Sequence, residues 1–145
     1  GFCSLNAQVY TAQERGFLQE GDWVLSTIDA QIGQIYWLQG QWKGGQFRTA
    51  GAVSISRPDL IEMPVGAGDY VVLGSGLNSA DFSIDDHAFN SGRNYPNITP
   101  EAAVMARKLA GGELPLNCNP AHALSPQYVQ RDIGWKKLAE QTGGV

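Results

Sequence analysis

The segment Trp42-Lys43-Gly44-Gly45-Gln46-Phe47 decides the fold that this sequence predicts. Two successive glycines can both adopt the positive φ of a type I′ turn, which joins two antiparallel strands through only two residues. Aromatic residues flank the turn on both sides, as they do in stable cross-strand pairs. We therefore predict a β-hairpin about Gly44-Gly45.

Extending the hairpin outward predicts a strand register and sorts the side chains by face. The register contains four cross-strand pairs: Lys43 with Gln46, Trp42 with Phe47, Leu38 with Gly51, and Tyr36 with Val53. Because strand side chains alternate between faces, one face collects apolar residues that we expect in the core: Tyr36, Leu38, Trp42, Phe47, Val53 and Ile55. The opposite face is polar except for Trp37, which makes Trp37 a candidate binding residue.

The segments around this hairpin predict further strands. Alternation from Asp22, followed by the run from Gln34 to Trp42, indicates two strands before the turn. Residues 59–63 and 70–73 are expected to form a second antiparallel pair across a turn-rich connection. Residues 82–84 are expected to add a short edge strand.

Three helices are predicted from apolar spacing and from capping residues. Ser4 is a possible N-cap for a helix from Leu5 to Arg15, which Gly16 would end. Thr99-Pro100-Glu101 begins a helix to Ala110, and a similar start at Ser125 begins another toward Glu140. The predicted fold class is α+β: an antiparallel sheet with a short N-terminal helix and two C-terminal helices packed on one face.

Length and composition limit the class of protein. The 145 residues are expected to form one globular domain, 1–145, and 43% hydrophobic residues suffice for a core. A net charge of -4 without a basic cluster argues against a nucleic-acid partner, and the absence of an 18-residue apolar run argues against a membrane span. Eleven Gln and eighteen Gly beside only ten Lys and Arg are typical of extracellular or virion-surface β-proteins.

The segment between His87 and Pro100 is rich in Asn, Gly and Pro, so it is expected to be a loop. Loops carry function more often than the elements that they connect. Together with Trp37, four residues of this segment are candidate binding residues: Asn90, Arg93, Asn94 and Tyr95.

Two cysteines and two histidines could carry chemistry. A disulfide between Cys3 and Cys118 would close a long loop and stabilise the fold in an oxidising compartment. A zinc site would need Cys3, His87, Cys118 and His122, yet only the last two are close in sequence, so neither a metal nor another cofactor is predicted.

The third interpretation makes Cys3 a nucleophile. Cys3 directly precedes a predicted helix, whose positive dipole end favours a thiolate, and His87 lies in the strand-like segment Asp85-Asp86-His87-Ala88-Phe89. This order resembles papain-type and NlpC/P60-type cysteine hydrolases, in which a Cys on a helix meets a His on a strand. The resemblance implies hydrolysis of peptide or amide bonds, with Cys3 as nucleophile and His87 as base.

The composition favours a non-enzymatic structural or binding module of a larger assembly, such as a virion, a fibre or an extracellular layer. Its expected partners are other protein subunits, including copies of itself, with glycans as a second ligand class. The expected location is extracellular or on a particle surface. A small cysteine hydrolase built on Cys3 and His87 is the alternative.

Overall fold

The computed structural model describes residues 3–64, 70–79 and 93–114, and the statements below concern these residues. They form two α-helices and six strands: α1 (Ser4–Glu14), β1 (Trp23–Gln31), β2 (Gln34–Lys43), β3 (Gln46–Thr49), β4 (Ser54–Ser56), β5 (Tyr70–Leu73), β6 (Arg93–Tyr95) and α2 (Ala102–Ala110). Two short 3-10 helices, Pro58–Leu60 and Ser75–Asn78, precede and follow β5.

The six strands form one mixed sheet in the order β3-β2-β1-β5-β6, with β4 also paired to β2. The pairs of β2 with β1, β3 and β4 are antiparallel, whereas β1 with β5 and β5 with β6 are parallel. The predicted α+β class is confirmed, but the predicted all-antiparallel sheet is wrong. Two of the five strand pairs are parallel because β5 and β6 join the sheet beside β1 after long connections.

The predicted second hairpin, between residues 59–63 and 70–73, does not form. Residues 58–60 are a 3-10 helix, and β5 pairs with β1 and β6 instead. All four β5 residues are buried, which is typical of a parallel strand covered on both faces. The apolar run Tyr70–Leu73 therefore belongs to the sheet centre.

The predicted hairpin about Gly44-Gly45 is confirmed. Both glycines have positive φ, 62° and 73°, and Trp42 pairs with Phe47. Farther from the turn the register differs from the prediction, since Tyr36 pairs with Ile55 rather than with Val53. Residues 50–53 leave the ladder between β3 and β4, which shifts the register by two residues. A shift of two leaves each side chain on its predicted face.

Both described helices lie where the sequence predicts them, with small differences at their starts. The N-cap of α1 is Cys3 rather than Ser4, and the N-cap of α2 is Glu101, so α2 begins after the predicted Thr99 cap. Ion pairs from Arg15 to Glu101 and from Arg107 to Glu14 link the two helices. No helix among the described residues has the length and apolar character needed to cross a membrane.

Two apolar clusters cover the two faces of the sheet. The first core lies between the sheet and both helices, and it includes three of the six residues predicted for the core face: Leu38, Trp42 and Phe47, with Tyr36 and Val53 packed against them. The second core lies on the opposite face around Leu25, Ile35, Ile61, Tyr70 and Val72, with Trp23, Trp37, Met63 and Leu77 at its border. Both described helices therefore pack on one face, although of the two C-terminal helices predicted to do so only α2 lies within the described residues.

Three sequence predictions fall on residues outside the described ranges. These are the edge strand at 82–84, the last helix from Ser125 toward Glu140, and part of the expected loop from His87. Within the described part of that loop, Arg93–Tyr95 forms β6, so the loop prediction is wrong there. The assignment of residues 1–145 to a single domain stays a prediction.

Candidate functional site

The centre of the sheet contains a point at which the chain changes direction. From β1 the chain continues outward through β2 and β3 on one side, and it later returns to add β5 and β6 on the other side. In open α/β sheets, ligands bind beyond the carboxyl ends of the parallel strands at such a switch point. The carboxyl ends of β1 and β5 therefore mark the candidate site, which we call the switch-point edge.

A glycine loop follows β5 at this edge and lies directly against β1. Gly74 has φ +96°, and a Cβ built on it would lie 2.0 Å from the carbonyl oxygen of Thr27. A Cβ on Gly76 would lie 2.6 Å from the Thr27 hydroxyl oxygen. Only glycine permits this approach, so the sequence Gly74-Ser75-Gly76 is explained by the packing of the loop on β1.

Buried polar side chains fix β1 under the loop. The amide of Gln8 donates hydrogen bonds to the Ser26 hydroxyl at 3.0 Å and to the Thr27 carbonyl at 3.1 Å. Ser26 donates to the carbonyl of Leu5, and Thr27 donates to the carbonyl of Leu73 at 2.7 Å. This network connects α1, β1 and β5, so the edge is held on a rigid frame.

Asp29 and Ser75 meet at the switch-point edge. The backbone N–H of Asp29 donates to the hydroxyl oxygen of Ser75 at 3.0 Å, and the Asp29 carboxylate accepts from the N–H of Gln31 at 2.9 Å. Asp29 is exposed and Ser75 is half-buried, with the exposed Asn78 one turn farther along the 3-10 helix. The edge thus presents a negative charge, a hydroxyl and an amide to solvent.

No group of three His, Cys, Asp or Glu side chains suited to a metal ion exists within the described ranges. The described groups at the edge act through hydrogen bonding and charge. A carboxylate with a hydroxyl and an amide beside it suits a polar ligand that donates hydrogen bonds.

The predicted binding residue Trp37 lies on β2 at the border of the second core. Its indole N–H donates to the Ser56 hydroxyl at 2.9 Å, which joins β2 to β4. Trp37 is half-buried, so its ring contributes to packing. Three strand spacings, about 14 Å, separate β2 from the other predicted binding residues on β6.

The other predicted binding residues stand together on β6, apart from Asn90, which lies outside the described residues. Arg93 forms a two-bond ion pair with Asp22, and Tyr95 stacks on Phe17 with a ring separation of 4.2 Å. Asn94 pairs with Val72 of β5. The structure brings Arg93, Asn94 and Tyr95 together but separates them from Trp37, and their predicted binding role stays a prediction.

Cys3 is a free cysteine at the N-cap of α1, half-buried against the first core. The predicted disulfide to Cys118 is therefore wrong, since no disulfide involves Cys3. Cys118, His87 and His122 lie outside the described residues, so the predicted pairing of Cys3 with His87 has no described geometry.

Sequence analysis missed Asp29 and Ser75. Asp29 belongs to a predicted strand, and the glycine loop has no local pattern that identifies a site. The available signal was Tyr70-Val71-Val72-Leu73 followed by Gly74-Ser75-Gly76, a buried run ending in a tight loop, which is typical of a parallel strand.

Searches against family models and against curated proteins found no match for the chain. The fold is similar to two solved structures, each 21% identical in sequence. One is described as an uncharacterized protein with similarity to peptidase YeaZ from Pseudomonas aeruginosa, with TM-score 0.66 over 89% of this chain and 57% of the other. The second is YeaZ from Pseudomonas aeruginosa, with TM-score 0.59 over 77% of this chain and 52% of that one. The chain spans little more than half the length of either structure.

These similarities correct the predicted function and location. A structural or binding module of a virion, fibre or extracellular layer is contradicted, because the fold is similar to that of YeaZ from Pseudomonas aeruginosa and of a protein described as similar to peptidase YeaZ. The extracellular or particle-surface location is contradicted on the same ground. The alternative likeness to papain-type and NlpC/P60-type hydrolases is not supported, since the similar structures are YeaZ-like.

Proposed function

We propose that the chain forms part of a YeaZ-like enzyme and that its switch-point edge is one side of the substrate site. The hydrogen bond between Asp29 and Ser75 at the carboxyl ends of β1 and β5 carries this proposal. Proteins with open α/β sheets bind their ligands beyond the carboxyl ends of the strands, because the loops that follow the strands can vary without disturbing the core.

The substrate class follows from the groups at the edge. Asp29 brings a carboxylate that accepts hydrogen bonds, and the Ser75 hydroxyl can donate one while its oxygen accepts from the Asp29 N–H. A substrate with hydroxyl or amino groups fits this set, since such groups donate to carboxylate and hydroxyl oxygens. An anionic group would be repelled by Asp29.

The rigidity of the edge supports a catalytic rather than a purely structural role. Binding groups act best when packing and hydrogen bonds hold them in place before the substrate arrives. Here Ser75 follows a glycine that contacts Thr27 closely, and Thr27 is tied to Gln8 and to Leu73. Asp29 and Ser75 therefore keep one relative position.

Peptidase activity is not part of the proposal. The term peptidase is printed for a protein to which one similar structure is likened. No histidine lies among the described residues to serve as a base for Cys3. The proposed site instead uses the edge residues.

A hybrid protein tests the proposal. In YeaZ of Pseudomonas aeruginosa, the segment that superposes on this chain is replaced by the chain, and the hybrid is expressed in cells depleted of YeaZ. We expect the hybrid to reverse the depletion phenotype. Asp29→Asn, which keeps the oxygen that accepts from Gln31, should weaken this rescue roughly tenfold or more through loss of a charged hydrogen bond to substrate.

The matched control is Asp59→Asn, which removes an exposed charge paired with nearby Arg57. It should leave rescue unchanged. Equal rescue by the Asp29 and Asp59 variants would contradict a substrate site at the edge, and absence of rescue by the unaltered hybrid would contradict the YeaZ-like activity.

A further inference from the structure

The carboxylate of Asp29 has no cationic partner among the described residues. The ion pairs of these residues use five other carboxylates: Glu14, Asp22, Asp59, Glu101 and Glu113. The Asp29 Oδ1 atom accepts a hydrogen bond from the N–H of Gln31, and within the same ranges no donor reaches Oδ2. Asp29 is exposed, so it presents an uncompensated negative charge at the switch-point edge.

The hydroxyl of Ser75 lies beside this charge and has hydrogen-bonding capacity left over. Its oxygen accepts from the backbone N–H of Asp29 at 3.0 Å. A hydroxyl oxygen has two lone pairs, so that of Ser75 can accept one further bond from a ligand. A primary ammonium group has three N–H donors on one cation, and it can therefore donate to Ser75 and to Asp29 together.

The register of β1 and β2 places Trp37 next to Asp29 on one face of the sheet. Thr27 pairs with Trp37, and Asp29 pairs with Ile35, two residues farther along both strands. Asp29 and Trp37 are thus diagonal neighbours on the same face, with a separation of about 7–8 Å. The Trp37 indole is half-buried, and its N–H donates to the Ser56 hydroxyl at 2.9 Å, so its orientation is fixed.

An aromatic ring beside an unpaired carboxylate favours one class of ligand. An indole ring attracts both alkyl surface and a cation near its face. A carboxylate bonds a cationic donor about twice as strongly as a neutral hydroxyl, and it repels an anion. An alkyl chain that ends in a positive charge satisfies both Trp37 and Asp29, whereas a neutral alcohol satisfies only part of the set.

We infer that the switch-point edge binds a primary ammonium group on an alkyl chain, with the ammonium at Asp29 and Ser75 and the alkyl chain against Trp37. This inference rests on the proposed function, for which it names the substrate class. The same chemistry occurs in a free alkylamine and in a lysine side chain, and the test distinguishes these two sources.

The test is a titration of the ¹⁵N-labelled chain with butylammonium at pH 7, followed by NMR. We expect saturable shifts of the backbone N–H signals of Asp29 and Ser75 and of the indole N–H signal of Trp37. The indole N–H of Trp23 is the internal control, because Trp23 lies at the other end of β1, about 20 Å from Asp29. Its signal should stay in place.

Three further probes separate charge from alkyl contact. Butanol has nearly the same shape as butylammonium without the charge, and butyrate reverses the charge. Both should bind at least roughly tenfold more weakly than butylammonium. Methylammonium keeps the charge without the chain, so it should bind roughly fivefold more weakly because it loses the contact with Trp37.

Matched variants separate a site from the general attraction of a cation to a chain of net charge -4. Asp29→Asn keeps the oxygen that accepts from Gln31, and it should weaken butylammonium binding roughly tenfold. The control is Glu20→Gln, which removes the same charge from an exposed residue whose carboxylate accepts from the N–H of Gly44. It should leave the Kd unchanged. The amide spectrum of each variant shows that it is folded.

Several results would overturn the inference. These are equal binding of butanol and butylammonium, equal weakening by Asp29→Asn and Glu20→Gln, or shifts that leave the edge signals in place. Absence of saturable shifts up to roughly 100 mM butylammonium would also overturn it, since a ligand of this size is expected to bind with a millimolar Kd.

Nα-acetyl-lysine methylamide identifies the source of the ammonium group. Binding at the edge that is roughly tenfold tighter than that of butylammonium supports a lysine side chain of a polypeptide, because contacts to the peptide groups then add to the affinity. Binding that is equal or weaker supports a free alkylamine. Both results retain the primary ammonium as the ligand class.

The titration involves no catalysis, so its failure is distinguishable from failure of the proposed function. Butylammonium binding at the edge, together with a YeaZ hybrid that does not rescue depleted cells, supports the ligand class and contradicts the activity. Rescue that depends on Asp29, together with equal binding of butanol and butylammonium, supports the substrate site and contradicts the ligand class.

Discussion

The guanidinium of Arg93 holds the carboxylate of Asp22 through two hydrogen bonds, of 2.6 and 3.0 Å. Arg93 begins β6 and Asp22 precedes β1, so the pair crosses the amino end of β5, which lies between those strands. The Asp22 carboxylate also accepts from the backbone N–H of Gln19 at 2.7 Å. Only 12% of the Asp22 side chain is exposed, which shields the pair from solvent.

Asp22→Asn should therefore destabilise the chain by about 1–3 kcal/mol, because a shielded two-bond ion pair loses its charge. Urea unfolding followed by circular dichroism measures the change. The control is Asp59→Asn, because Asp59 and its partner Arg57 are 48% and 63% exposed. This variant should lower the free energy of unfolding by less than about 0.5 kcal/mol. Equal losses from the two variants would show that shielding does not strengthen the Asp22 pair.

Gly74→Ala should be among the most damaging single substitutions in the described structure. The added Cβ would meet the Thr27 carbonyl and the Gln8 amide while the backbone keeps a φ of +96°, so we expect a loss of about 3 kcal/mol or more. Gly16→Ala supplies the control, since Gly16 also has positive φ but nothing lies within 4 Å of its Cβ position. Its expected cost is about 1 kcal/mol, from backbone strain alone. Similar Tm values for the two variants would rule out the steric explanation.

Gln8→Ala should cost about 2–4 kcal/mol, because it leaves a cavity and removes the donor shared by Ser26 and Thr27. The matched control is Gln13→Ala on the same helix. Gln13 is half-buried, and its side-chain oxygen has no hydrogen-bond partner in the described part of the chain. It should change stability by less than about 0.5 kcal/mol. If the two variants unfold at the same urea concentration, the network contributes nothing measurable.

Tyr70 should make the chain lose stability at alkaline pH. Burial raises the pKa of Tyr70 from 10.0 to about 12, so between these values the unfolded chain releases a proton that the folded chain retains. Stability from this group is complete below pH 10 and falls by up to about 1.4 kcal/mol per pH unit as pH rises toward 12. The free energy of unfolding, measured from pH 8 to 12, should fall less steeply with pH for Tyr70→Phe than for the unaltered chain. Parallel curves for the two proteins would contradict the assignment.

The hairpin could be predicted because its information is local. Gly44 and Gly45 specify the turn, and alternation then assigns Trp42 and Phe47 to one face. Helix α1 was predicted for the same reason, because Gly16 is a local stop signal. In the structure the Gly16 N–H donates a hydrogen bond to the carbonyl of Gln13 in the last turn. The register beyond residue 50 was not predictable. A two-residue shift between β3 and β4 keeps every side chain on the same face of the sheet, so the alternation of apolar and polar residues is unchanged.

The parallel part of the sheet and the candidate site could not be predicted. Tyr70–Leu73 is equally apolar in a hairpin and in a central parallel strand, and only its pairing with β1 distinguishes the two. Asp29 and Ser75 are ordinary residues of a strand and a loop in sequence. They form a candidate site only because that pairing brings together residues 46 positions apart in the chain.

The separation of β1 and β5 in sequence also determines the order in which the chain can fold. Strands β1, β2 and β3 pair with their neighbours through short turns, whereas the bond from Thr27 to Leu73 closes a span of 46 residues. Because closing a long loop loses more chain entropy than closing a short one, we expect the hairpins to assemble first and β5 to join late. Substitutions in β5 should then accelerate unfolding while leaving the refolding rate almost unchanged.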